Sequence, residues 1–135
     1  MKKMEKDQLA LSEIDRKQLK DAIELVSRID KVEWSGPVTK EKDKDGNDVL
    51  VLPYPIYPEG LVEALCIAGD DHNYIENYKK YCDSVPIREM GLSQIRTMLT
   101  RMQRGERFCD GFIADEIENG NLLALLKRLD KIIEE

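Results

Sequence analysis

The sequence predicts a mainly α fold: a single-domain bundle of about five or six helices with a small β-hairpin insertion near residues 37–52. Three observations carry this expectation. Apolar residues recur at spacings of three and four along most of the chain, one turn- and proline-rich stretch interrupts them, and no internal repeat or low-complexity linker divides the 135 residues. A chain of this length commonly forms one domain and buries roughly two-thirds of its unfolded surface, enough for a core without disulfides or metals. The domain is expected to span residues 1–135, with 1–11 as a loosely ordered N-terminus.

The first helix is expected from about Ser12 to Lys31. Ser12 can cap it, and Glu13 and Asp15 oppose the positive end of its dipole. Leu19, Ala22, Ile23, Val26 and Ile29 then form one apolar stripe, which Trp34, Gly36 and Pro37 end. Val38-Thr39 and Val49–Leu52 flank the polar run Lys42–Asp48, and its Asp45-Gly46 step between strand-like arms signals a hairpin. Pro53, Pro55 and Pro58 forbid a central strand beyond it, because each removes a ladder donor.

Helical spacing returns after Pro58. Leu61, Leu65 and Ala68 mark a short helix ending at Gly69, and Tyr74, Ile75, Tyr78 and Tyr81 suggest another across Asn73 to Cys82. Leu92, Ile95, Leu99 and Met102 form a stripe that Gly105 is expected to break at Arg104. Asp110 can cap a helix carrying Phe112, Ile113 and Ile117 up to Gly120. Asn121 can cap the last, in which Leu122, Leu125, Leu126, Leu129, Ile132 and Ile133 share a face.

Composition narrows the function classes. A hydrophobic share of 41% with 36% charged residues fits a folded domain with a heavily charged surface rather than a disordered chain. A net charge of -6 repels phosphate backbones, so no nucleic-acid partner is expected. Apolar runs such as Val49–Leu52 are far shorter than the roughly 20 residues that span a bilayer, so no membrane role is expected. Met1-Lys2-Lys3 opens like a secretory leader, but Glu5, Lys6 and Asp7 stand where its apolar run belongs. Three widely spaced cysteines, Cys66, Cys82 and Cys109, read as reduced thiols, and the expected location is the cytoplasm.

No catalytic or metal-binding constellation stands out, and no cofactor is expected. Asp43–Asp48 resembles the start of a calcium loop, yet the glycine needed at its sixth position is Asp48 and the glutamate needed at its twelfth is Tyr54. Asp70-Asp71-His72 holds the only histidine; three adjacent residues cannot converge on one metal, so a solvated loop is the plainer reading. Pro55-Ile56-Tyr57-Pro58 has the Pro-x-x-Pro spacing without a neighbouring basic residue. Cys109 lies beside Arg107 at a helix start, conditions that lower a thiol's pKa, although a buried apolar cysteine is commoner.

The arginines give the one candidate site. Arg101, Arg104 and Arg107 precede an acidic helix containing Asp110, Asp115, Glu116 and Glu118, which suggests an ion-pair seam between the two helices. The sharper reading aims Arg104 and Arg107 at the free amides opening that helix and adds Tyr54, Tyr57 and Trp34 as the walls of a pocket for a small anion.

The run Arg104–Gly111, with Gly120 and Leu122–Leu129 after it, resembles the C-terminal signature of an uncharacterised bacterial family of small helical proteins, a domain of unknown function. That signature is Arg-x-x-Arg-Phe-x-x-Gly, a later glycine and a Leu-rich helix ending in Arg-Leu. Tyr54-Pro55-Ile56-Tyr57 is similar to the family's aromatic-proline segment, while Asn73-Tyr74 stands where the family has Asp-Trp. The resemblance implies a small helical domain and imports no activity. Physically, Gly105, Gly111 and Gly120 permit tight turns, and Phe108 and Phe112 are expected to anchor the core. The expected function is a non-catalytic intracellular binding or protein-interaction module, with a protein partner or a second copy of the chain. The alternative is a small-molecule (anionic ligand) binding protein or an enzyme built on the Arg/Tyr pocket.

Overall fold

Helix α1 (Glu13–Ser27) starts at a capping box: the Ser12 hydroxyl accepts from the Asp15 amide at 3.1 Å, and the Asp15 carboxylate accepts from the Ser12 amide at 3.3 Å. The computed structural model describes residues 12–134, so the stretch 1–11 lies outside the described residues. Leu19, Ala22 and Val26 make the buried stripe of α1, and the helix stops before the expected Lys31 because its last turn tightens, the Arg28 amide donating to Leu25 O.

Two small antiparallel ladders follow, nested one inside the other. Strand β1 (Glu33–Trp34) pairs with β4 (Pro55–Ile56), and between them β2 (Thr39–Lys42) pairs with β3 (Asp48–Val51). The expected insertion is therefore present, carried on a two-residue stalk. Pro55 is tolerated there because a two-stranded ladder has only edges.

The rest is helical. Helix α2 (Leu61–Ala64) is one turn; α3 (Tyr74–Asn77) runs into a π-helical turn (Tyr78–Cys82), so the helix expected across Asn73–Cys82 widens midway. A 3-10 turn (Ile87–Glu89) leads to α4 (Leu92–Phe108), α5 (Phe112–Glu118) and α6 (Asn121–Glu134). Among the described residues this is a mainly α fold with a small β insertion.

Helix α6 is the central element, packing on α1, α4 and α5. Its Leu122, Leu125, Leu126, Leu129, Ile132 and Ile133 are all buried, as their common face implies. Opposite them, Leu61, Leu65, Ile95, Leu99, Met102 and Ile113 complete one continuous core. The α6 cap differs from expectation: Asn121 is already helical, and its amide donates to the Asn119 side chain at 2.9 Å. None of the described helices is long and apolar enough to cross a membrane.

Two expectations about the α4–α5 region fail. Gly105 does not break α4, which continues to Phe108. Instead the missing side chain lets the Phe112 ring approach, since a β-carbon at 105 would lie 2.8 Å from it. With the helix continuing, Phe108 sits about 240° round the axis from the buried Met102, on the solvent side. Phe108 is 88% exposed and anchors nothing, whereas Phe112 is half-buried against the core. Urea melts should therefore show Phe108→Ala within about 0.5 kcal/mol of the parent. Leu99→Ala, truncating a fully buried side chain, should cost about 2–5 kcal/mol.

Candidate functional site

The joint between α4 and α5 is closed by Glu106. Its carboxylate accepts from the Tyr57 hydroxyl (2.9 Å), the Ile113 amide (2.8 Å) and the Gly111 amide (3.1 Å). The Tyr57 oxygen in turn accepts from the Ala114 amide at 3.0 Å. The amides that open α5 are thus spent on the chain's own groups, and the expected cap, Asp110, takes no part. Asp110 sits one residue too early: Gly111 holds the cap position in a left-handed conformation at φ +98°, and a β-carbon there would stand 2.8 Å from the Trp34 ring. Burial, then the Glu106 hydrogen bond and charge, push the Tyr57 hydroxyl well above its ordinary pKa and keep it protonated.

The arginines do not converge on this joint. Arg101 lies over the rings of Tyr78 (4.2 Å) and Phe112 (5.2 Å). Arg104 bonds Asp70, its Nη2 lying 3.2 and 3.0 Å from the two carboxylate oxygens. Arg107 is exposed and makes no ion pair with a described residue. An ion-pair seam with the acidic α5 is therefore absent among the described residues: Arg101 meets aromatic rings, Arg104 reaches the loop after α2 and Arg107 is exposed. Trp34 and Tyr57 meet the joint from the hairpin stalk, while Tyr54 is exposed. Of the six residues of the expected pocket, Trp34 and Tyr57 thus reach the joint and Arg101 lies over Phe112 beside it, while Arg104, Arg107 and Tyr54 have the other surroundings just described.

A cleft of about 570 Å³ lies elsewhere, between the loop after α2, helix α3 and the N-terminal half of α4. Its floor is Asp71. Thr97 Oγ1 donates to Asp71 Oδ2 at 2.5 Å, Asn77 Nδ2 reaches both carboxylate oxygens (3.2 and 3.0 Å), and the Asn73 amide donates to Oδ1 at 2.9 Å. The Asp71 amide donates to the buried Thr100 hydroxyl at 3.1 Å. Burial, the largest single influence, works to raise the Asp71 pKa; the hydrogen bonds from Thr97, Asn77 and Asn73, with the charge of Arg96, outweigh it and hold the carboxyl below its usual range.

Around this floor stand groups with unspent donors. Arg96 uses only Nε, which donates to Ala68 O at 2.6 Å, and no described residue accepts from its terminal nitrogens. His72 Nδ1 lies 3.2 Å from Asp70 Oδ2 and the ring is otherwise exposed. Ser93 and the Asn73 side chain line the same space. An aspartate orients the imidazole, but no described hydroxyl or thiol hydrogen-bonds to it, so a nucleophile–base pair is missing. Burial raises the thiol pKa of both Cys66 and Cys82, and Cys109 is exposed rather than buried. No group of three or more metal-ligating side chains occurs among the described residues.

The sequence points to none of Asn77, Arg96 and Thr97, and it reads Asp71 as part of a solvated loop. The signal that would have found Thr97 and Thr100 is their place on α4: polar residues buried beside the Leu92–Met102 stripe require a partner. Two measurements check the joint and the floor. By urea melts, Glu106→Ala should cost about 2–3 kcal/mol by stranding two backbone amides, and Tyr57→Phe about 1 kcal/mol. Because the folded-state pKa of Asp71 is depressed, its stabilisation is complete above the unfolded value of about 3.9 and is lost as pH falls through the folded value. Acid unfolding of Asp71→Asn should lack that part of the pH dependence.

No curated protein and no solved structure matches the chain. Residues 14–135 match the family of unknown function DUF6508, nearly the whole described fold, and the chain belongs to that family.

Proposed function

We propose that the chain is a non-catalytic binding module that takes a small anionic ligand into the Asp71 cleft. The observation behind this reading is the balance of unspent hydrogen-bonding groups. Both acidic side chains of the cleft are engaged, Asp71 by Thr97 and Asn77 and Asp70 by Arg104, so their acceptors are largely satisfied. The groups left over include donors, the Arg96 terminal nitrogens and the Ser93 and Asn73 side chains, with the exposed His72 ring beside them. A carboxylate or phosphate supplies the acceptors they lack, and a guanidinium is suited to either. A rigid floor keeps the ordering cost of binding low. This ligand class is the one the alternative reading of the sequence held, moved from Arg101, Arg104 and Arg107 to Arg96.

The setting is consistent with a reducing cytoplasm, since Cys66, Cys82 and Cys109 are all free and two of them are exposed. The net charge of -6 disfavours nucleic acid as the ligand's source. Calorimetry and thermal melts against inorganic phosphate and a panel of small mono- and dicarboxylates test the proposal. A binding anion should raise the melting temperature as RT ln(1 + [L]/Kd) requires. Arg96→Gln and the exposed-site variant His72→Gln should each weaken that response at least tenfold, while Arg107→Gln leaves it intact. Anion binding that ignores both cleft variants, or no anion binding at all, would overturn it.

A further inference from the structure

The β2–β3 hairpin is unusual in what it leaves uncovered. Every residue of both strands is exposed, and each strand's extensive packing among the described elements is on the other alone. A lone two-stranded hairpin is marginal in water. Both of its edges are free of strand partners among the described residues, and they differ in a way that matters. The β2 edge carries Lys40, Glu41 and Lys42, the kind of charged guard that keeps edges from pairing. The β3 edge carries Val49, Leu50 and Val51, continues into Leu52, and has one charge, Asp48, which Lys42 of its own hairpin neutralises at 2.7 Å. Leu50 and Leu52 are 65% and 64% exposed.

The hydrogen-bond phase of β3 is fixed by its turn. The Asp43 amide donates to Asn47 O, and bonded pairs alternate along an antiparallel ladder. With Glu41 opposite Val49 and Thr39 opposite Val51, those are the bonded pairs, and Lys42/Asp48 and Lys40/Leu50 are not. The backbone amides and carbonyls of Asp48 and Leu50 therefore point away from β2, toward the open edge, as do those of Leu52 when the same alternation is continued one residue past the ladder.

We infer that β3 pairs antiparallel with β3 of a second copy of this chain, about a twofold axis at Leu50, to make a four-stranded sheet from two hairpins. Only a register that sets even residues against even residues matches the outward groups. The twofold at Leu50 does so over the longest stretch, placing Leu50 on Leu50, Val49 on Val51 and Asp48 on Leu52, with no like charges opposed. The same operation brings both copies of Val38, Leu50 and Leu52 onto one face, turning scattered exposed side chains into a contiguous apolar strip. The inference is independent of the ligand cleft, which lies on other elements.

Light scattering on the full chain across a concentration series should show the mass rising to twice that of the monomer. Leu50→Lys, at an exposed position that leaves the core intact, should return the chain to a monomer at the same concentrations, and Phe108→Ser, removing an exposed aromatic elsewhere, should not. Hydrogen exchange read residue by residue should protect the Leu50 and Leu52 amides in step with dimer formation, and Leu50→Cys should form an intermolecular disulfide under mild oxidation. A chain that stays monomeric throughout overturns the inference. So does a dimer that survives Leu50→Lys, or protection of those two amides that is independent of concentration and arises from a covering segment of the same chain.

Discussion

One carboxylate organises the C-terminal half of the molecule. Glu106 stands on the last turn of α4, and by accepting from Gly111 and Ile113 it sets where α5 begins and at what angle it leaves. Tyr57 joins the same bond set from the far side of the chain, so the exit from the β insertion is fixed to the same point. Everything laid over this joint inherits its geometry: α6 packs on α4 and α5, and α1 packs on α6. A half-buried polar cluster of this kind is costly where its groups go unpaired, and here no buried side-chain polar atom among the described residues lacks a partner.

The arrangement also explains why the signature around Arg104–Gly111 reads so differently in sequence and in space. A glycine after an apolar stripe, followed by Arg, Phe and another glycine, looks like a helix stop, a turn and a core anchor. In the fold Gly105 serves Phe112 rather than the backbone, α4 gains a further turn, and that extra turn carries Phe108 out into solvent. Arg104, one residue before that turn, bonds Asp70 rather than an acid of α5.

What could be read in advance was whatever repeats with the period of a helix or is fixed within four residues. The stripes of α1, α4 and α6, the Ser12 cap and the Asp45-Gly46 hairpin belong to that class, because burial and capping leave their mark on adjacent positions. The cleft belongs to the other class. Asp71 meets Thr97 and Thr100, and Arg96 meets Ala68, across 26 to 29 residues of chain; such pairings impose no period, and each partner taken alone is an ordinary loop or helix residue. The same holds for Glu106 and Tyr57, 49 residues apart. The π turn at Tyr78–Cys82 was hidden for a further reason: its tyrosines repeat as an α-helix would, and one extra residue per turn does not alter composition.

The chain's single tryptophan occupies a telling place. Trp34 belongs to the stalk of the β insertion, yet its ring lies against Gly111, at the cap of α5. The indole is 39% exposed, partly wet and partly shielded by backbone. Its emission is therefore an intrinsic optical reporter of one contact between two parts of the molecule, not of unfolding as a whole. A spectral change that precedes loss of helical circular dichroism would mean that the stalk lifts from the joint while the Leu-rich core is still closed, a local opening visible without any introduced label.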